Sequence, residues 1–329
     1  MKKFLLVLAS LTLPLIGAAT TIVEDFSKDP LQNGWEIWGY SDLFEWDSSA
    51  GKLMVTWDSS RQNSFFWWPL NVVLNKQTDF SVSFDLALSY IKAGVDPNKP
   101  FTFEIAIGFV NSSNATNHGF IRGTGLDSPN IVEFDYFPDT GFGATISPAV
   151  VSSNMQFITT MNFPIELVPD IVYHISMRYL ALSNSLYTSL TANGQTVSEI
   201  QPVKLPSSFT DFTLDRFSIT SYSDSGQTSG FGGSVYAKGT IDNIVIELPQ
   251  PYTPIIDQII YLTNSVVIKF HGPKNYTYYL ERTEDFKNWT TANGPVNGTD
   301  GIMEITDPEA CTFQSRFYRL KVQALQQAN

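Results

Sequence analysis

Glu133 and Asp135 stand two residues apart in the segment Val132-Glu-Phe-Asp-Tyr-Phe-Pro-Asp139. In an extended strand that spacing puts both carboxyls on one face, with roughly 6.5–7 Å between their Cα atoms. Val132, Phe134 and Tyr136 take the other face. Asp139 follows Pro138, where a strand must end. Such a pair can meet a bound molecule as polar contacts, or hydrogen-bond within the fold on a sheet face. A second group is aromatic. Six of the seven tryptophans, Trp35, Trp38, Trp46, Trp57, Trp67 and Trp68, lie in one stretch with Tyr40, Phe44, Phe65 and Phe66. Flat rings stack on the apolar faces of sugars, and Asp42, Glu45, Asp47 and Asp58 are near enough in sequence to hydrogen-bond hydroxyls. The competing reading is that these rings fill the core. Trp67 and Trp68 are consecutive and point to opposite faces if extended, so at least one of them is core. One or two of the six are expected to be exposed.

The elements that must hold these groups are strands. Large apolar residues fall at every second position in Phe80–Leu88 and in Phe101–Phe109, and Glu104 lies on the polar register of the latter. Shorter candidates run over Leu53–Trp57, Ile131–Phe137, Ile171–Tyr179, Leu186–Thr191, Phe212–Ser221 and Ile241–Leu248. Asn193-Gly194 marks a tight hairpin. No stretch of a dozen residues has helical periodicity with caps. The fold class is therefore all-β, a two-sheet antiparallel sandwich or closed barrel. Three prolines in Leu248–Pro254 mark a linker over 249–254. A domain over 20–248 precedes it, and a small β-sandwich module over 255–329 follows.

Residues 1–19 read as a secretory signal peptide: Lys2 and Lys3, an uncharged run from Phe4 to Ile16, then Gly17-Ala18-Ala19. The expectation is a secreted protein that is periplasmic, cell-surface or extracellular, with no membrane insertion once the leader is removed. A single cysteine, Cys311, leaves stability to the core rather than to an internal disulfide. The net charge of −12 argues against nucleic acid, whose phosphates call for a basic stripe, and fits a neutral partner such as a polysaccharide. Three scattered histidines make a zinc site of the usual kind, or a catalytic triad, a poor reading.

The acidic strand and the closing Gly239-Thr-Ile-Asp-Asn-Ile-Val-Ile246 resemble the concanavalin A-like lectin/glucanase superfamily. In the small module, Tyr278–Trp289, Asp307-Pro308 and Arg316–Arg319 resemble a C-terminal immunoglobulin-like β-module of secreted proteins from Verrucomicrobia-type bacteria. The first resemblance implies a jelly roll with a ligand-binding sheet face. It also implies a calcium held by Asp135, the Phe137 carbonyl and Asp139, with Glu133 and Asp135 at a transition-metal position. Ala144 and the region of Ala149 stand where that pattern has its further Asp and its His. Glucanases of the superfamily place a second Glu on this strand, where Phe137 and Pro138 stand here, so the hydrolase pattern is incomplete.

The leading expectation is a non-catalytic glycan-binding protein with Glu104, Glu133, Asp135, Trp38, Trp46 and Trp67 in the site and Ca²⁺ as its one candidate cofactor. The alternative is a structural cell-surface or matrix protein that binds itself or envelope proteins. A divergent glycoside hydrolase is the third reading.

Overall fold

The computed structural model describes residues 20–123, 127–228, 230, 232–248, 254–273, 276–310 and 316–324. The leader at 1–19, all but the last residue of the 249–254 linker, and Cys311 lie outside the described residues. The chain divides into two compact units, with the boundary between Pro249 and Gln250. Among the described residues, no helix is long and apolar enough to cross a membrane.

The larger unit is an antiparallel jelly-roll sandwich of two sheets. One has ten strands, seven of them in the order Gln195–Ser198, Ser185–Ala192, Tyr173–Leu180, Phe80–Ala93, Gly233–Leu248, Lys52–Asp58, Phe44–Asp47. The other has eight, with the main order Phe157–Thr159, Ala149–Val151, Ile131–Phe137, Ile105–Val110, Leu214–Ser221, Ser64–Leu74, Glu36–Trp38. The period-two residues meet between them. Phe80, Val82, Phe84, Leu86 and Leu88 are buried from one sheet, and Ile105, Ile107, Phe109, Val132, Phe134 and Tyr136 from the other. Phe84 meets Phe134 edge-on at 6.1 Å, and Phe80 meets Phe109 at 5.1 Å. Burial on this scale, at roughly 25 cal/mol per Å² of apolar surface, is the source of stability that the lack of a disulfide framework demands.

The Asn193-Gly194 turn joins its two strands with both residues at positive φ, 51° and 72°, as a two-residue hairpin requires. The segment Phe101–Phe109 is not one strand, as its alternation predicts. Phe101–Thr102 pairs in parallel with Gly233–Ser234, and Ile105–Val110 joins the eight-stranded sheet. The chain changes sheets at Phe103-Glu104, and period two carries through the change. Among the described residues, helix is confined to one four-residue turn, Ser112–Ala115, capped by Asn111, and to short 3₁₀ turns.

The smaller unit has two three-stranded sheets, with Val266–Gly272 and Tyr276–Thr283 as their central strands. Ile268, Phe270, Tyr278, Leu280 and Ile305 form its core. Asp307 is buried and accepts from Arg282, Arg316 and the Tyr318 hydroxyl at 2.9, 2.6 and 2.9 Å.

Gly108 sits opposite Glu133 in the eight-stranded sheet. A Cβ there would lie 2.3 Å from the Val132 carbonyl oxygen and 2.6 Å from the Glu133 Cα, both backbone atoms that cannot yield. Gly108→Ala should therefore cost about 1–3 kcal/mol, read as a lowered midpoint in denaturant unfolding.

Candidate functional site

The face of the eight-stranded sheet that points away from the sandwich core carries the acidic pair. Along one row, Ala149, Glu133, Gly108, Ser218 and Trp67 are successive cross-strand partners. Along the next, Asp135, Ala106, Thr220 and Phe65 follow each other. The small residues in the middle of both rows leave room above the sheet, and two loops fill it. Phe120 and Arg122 come from the loop after Ser112–Ala115, and Tyr222 follows the Leu214–Ser221 strand. Phe120 stacks on Tyr222 at 6.1 Å, and Phe65 meets both edge-on. Asn63 ties the loops together: its side chain donates to the Phe120 carbonyl and accepts from the Ser223 amide.

Beneath this cover lies an ion cluster. The Arg122 guanidinium donates from Nη2 to Asp135 Oδ2 at 2.8 Å and lies 3.1 Å from Glu133 Oε2 through the same nitrogen. Its Nε is 3.3 Å from Glu104 Oε1, and its Nη1 pairs with Asp127. The Tyr222 hydroxyl donates to Glu133 Oε1, and the guanidinium lies 5.6 Å from the Tyr222 ring centre. Glu133, Asp135 and Glu104 are only 0, 1 and 3% exposed. The structure thus brings the three acidic residues together, as their shared register implies, but closes them off. They are partners of Arg122 rather than surface contacts for a ligand, and no scissile bond can reach them.

Four carboxyls around one guanidinium leave an excess of negative charge, and burial settles how it is carried. Loss of water pushes the Glu133 carboxyl up to about 8 and Asp135 up to about 6, against the pull of Arg122, while Glu104 is pushed well above the usual range by the same burial. Near neutral pH the Glu133 carboxyl therefore keeps its proton, and the same burial favours the neutral form of Glu104. Asp135 Oδ1 has no hydrogen-bond partner.

The calcium set fares differently from the expectation. Asp135 is enclosed beneath Arg122, while Asp139 is exposed and its Oδ1 accepts from the Gly141 amide at 2.9 Å. The residues present do not fit a calcium held by Asp135, the Phe137 carbonyl and Asp139. A hard cation draws its oxygens in at about 2.3–2.6 Å, and here a guanidinium holds that place. Among the described residues, no three His, Cys, Asp or Glu side chains are arranged to hold a metal ion.

The tryptophans separate clearly. Trp35 and Trp57 are core. Trp46 is half-buried and spends its indole N–H on the Phe26 carbonyl at 2.8 Å. Trp68 packs on the core and Trp67 points to the opposite face, where it is buried in a stack with Phe65 at 5.2 Å. Trp46 and Trp67 are therefore not open platforms. Trp38 is open at 36%, on the edge strand Glu36–Trp38, leaning on Phe65 at 5.6 Å. Tyr40, 40% exposed, stands two residues on, with the Arg61 guanidinium 4.0 Å over its ring. Arg61 also pairs with Asp42 at 2.6 Å. Gly39 makes this edge: its φ of +92° and the Ser64 Oγ 2.6 Å from where a Cβ would stand require glycine.

Sequence reasoning missed Arg122, Asp127 and Tyr222. A signal existed for the first. Arg122 is the only Lys or Arg between Lys99 and Arg178, a span that holds Glu104, Asp127, Glu133 and Asp135.

No protein-family model matches the sequence, and no curated protein does. Among solved structures, a seed lectin of Lotus tetragonolobus is similar at 11% identity and TM-score 0.44, over 70% of this chain and all of that one. Arcelin-5, a lectin-like defence protein of Phaseolus vulgaris, is similar at 12% identity and TM-score 0.41, over 70% of this chain and 98% of that one. A legume lectin-like domain of Entamoeba histolytica is similar at 11% identity and TM-score 0.40, over 68% and 95%.

Burial raises the Glu133 and Asp135 carboxyls in the fold, so the native state holds protons that the unfolded chain has released. The stability these groups contribute is full below the ordinary carboxylate range. It is lost as pH rises through about 6 for Asp135 and about 8 for Glu133. The melting temperature should accordingly fall between about pH 5 and 9, and Glu133→Gln, which mimics the neutral acid, should flatten the upper part of that fall.

Proposed function

We propose that this is a secreted, non-catalytic glycan-binding protein whose contact surface is the aromatic edge at Trp38 and Tyr40. One observation carries the reading. At this edge two aromatic side chains stand open beside polar groups, next to a strand paired with Phe65–Trp67 in the eight-stranded sheet. The Trp38 ring offers an apolar face to a sugar, while Asp42, Arg61 and Glu36 supply acceptors and donors for hydroxyls around it. The strongly acidic chain disfavours acidic polymers and favours a neutral polysaccharide. The enclosed acidic strand supports binding without hydrolysis, because the carboxyl groups a glycosidase would use are committed to Arg122. Export follows from the leader-like residues 1–19.

Binding of the protein to a panel of neutral polysaccharides, by affinity electrophoresis, tests the reading. Trp38→Ala and Tyr40→Ala should each weaken binding by about tenfold or more at an unchanged melting temperature. Binding that survives both substitutions would move the site elsewhere.

A second reading, self-association of a structural surface protein, is favoured by one patch. Phe142 is 72% exposed and pairs with the exposed Phe163 at 5.6 Å. Met161 is exposed nearby in sequence, and no Lys or Arg occurs from 123 to 177. Light scattering after size exclusion should then show an oligomer that Phe142→Ser returns to a monomer.

A further inference from the structure

We propose that Arg122 is the resident cation of the acidic sheet face: its guanidinium, and not a metal ion, is what Glu104, Asp127, Glu133 and Asp135 are arranged to bind. The resemblance in the sequence implies a metal at this strand, and the disagreement between that implication and the side chains is the starting point.

The geometry is that of a fork rather than of a sphere. The three guanidinium nitrogens face four carboxyls: Nη1 and Nη2 hydrogen-bond Asp127 and Asp135, while Nε and Nη2 lie 3.3 and 3.1 Å from Glu104 and Glu133 as ion-pair contacts. A planar guanidinium with five N–H donors can serve partners spread around its rim, which neither a compact ammonium nor a small divalent ion can do. The side chain is buried along with Glu104, Glu133 and Asp135, Asp127 lies at the margin of the cluster, and the Tyr222 ring stands beside the guanidinium as a cation–π contact. The Arg122 backbone is brought to this place by its neighbours. The Ile121 amide donates to the Ser128 Oγ at 2.7 Å, and the Ser128 amide donates back to the Ile121 carbonyl at 2.9 Å. The sheet prepares the opposite side. Ala106 and Gly108 project nothing large over the rows that hold Asp135 and Glu133, so an arginine from a loop has the space to lie across them.

The consequence is a closed sheet face whose order is written into the chain and does not depend on the supply of a metal. A fold that closes this face with its own cation keeps its shape in metal-poor surroundings. It also denies the carboxyls to ligands and to divalent ions alike.

Thermal unfolding of the full chain tests this, with Ca²⁺, with EDTA and with guanidinium at low millimolar concentration against matched sodium chloride. The wild-type melting temperature should be unmoved by Ca²⁺ and EDTA. A rise with Ca²⁺ that EDTA reverses would overturn the proposal. Arg122→Ala removes the guanidinium from among the four carboxyls and should lower the melting temperature by roughly 10 °C. Guanidinium should restore part of that loss, and Ca²⁺ should not. Rescue by Ca²⁺ in preference, or rescue by neither, would show that the carboxyls are not arranged for a guanidinium. If Arg122→Ala does not fold, Arg122→Lys reports instead, since it keeps the charge and loses the fork. It should melt below the wild type and stay indifferent to Ca²⁺ and EDTA. A lysine variant as stable as the wild type, or one that Ca²⁺ stabilises, would overturn the proposal.

Discussion

Taking Arg122 and four carboxyl groups out of water together is the most demanding thing this fold does. A buried ion loses several kcal/mol of hydration, and mutual attraction returns that only when the geometry is good and the remaining polar atoms find partners. Much of the larger unit supplies the enclosure and part of the partners, while Asp135 Oδ1, Glu133 Oε2, Glu104 Oε1 and Arg122 Nε make no hydrogen bond. Gly108 and Ala106 clear space on the sheet, Asn63 fastens the two covering loops, and Tyr222 supplies both a hydroxyl and a ring. Part of the surplus of acid over base is carried by the proton that burial retains on Glu133. The same burial that makes the cluster costly to form makes it costly to break once formed.

Closing that face decides where the protein can act. A jelly roll offers a partner its two outer faces, its edges and its loops. Here one outer face is occupied by the chain itself over the Glu133–Asp135 region. The surface proposed for glycan contact lies instead at the margin of the sheet, where the strand Glu36–Trp38 ends in Gly39 and leaves Trp38 and Tyr40 in the open. The exposed rings of Phe142 and Phe163 form a separate apolar margin, without a guanidinium over a ring such as Arg61 places over Tyr40 among the described residues.

The parts of this arrangement that were legible in the sequence are those governed by local periodicity. Period two in Phe80–Leu88 and Ile131–Phe137 assigns each residue to a face without reference to the rest of the chain, and the structure follows it. The shared face of Glu133 and Asp135 comes from the same rule. Period two is blind to a change of sheet, so the break at Phe103-Glu104 did not show. Whether a face is open depends on loops folding back from elsewhere, and no local pattern records that. Arg122 arrives from a loop after its partner Glu104 in the chain and before Glu133, and Tyr222 from 89 positions beyond Glu133. The tryptophans show the same limit. Composition marks the stretch as a place of rings, but only packing separates the open Trp38 from the buried Trp67.

The state of the Glu133 carboxyl is the quantity on which this account turns, because an enclosed acid and an open one cannot titrate alike. Carbon-13 NMR of the side-chain carboxyls, followed through a pH titration of the folded protein, measures it residue by residue. The account predicts a Glu133 resonance that titrates near pH 8 and is insensitive to added polysaccharide. A Glu133 that titrates at its ordinary value of 4.5, or whose signal moves when a glycan binds, would contradict it.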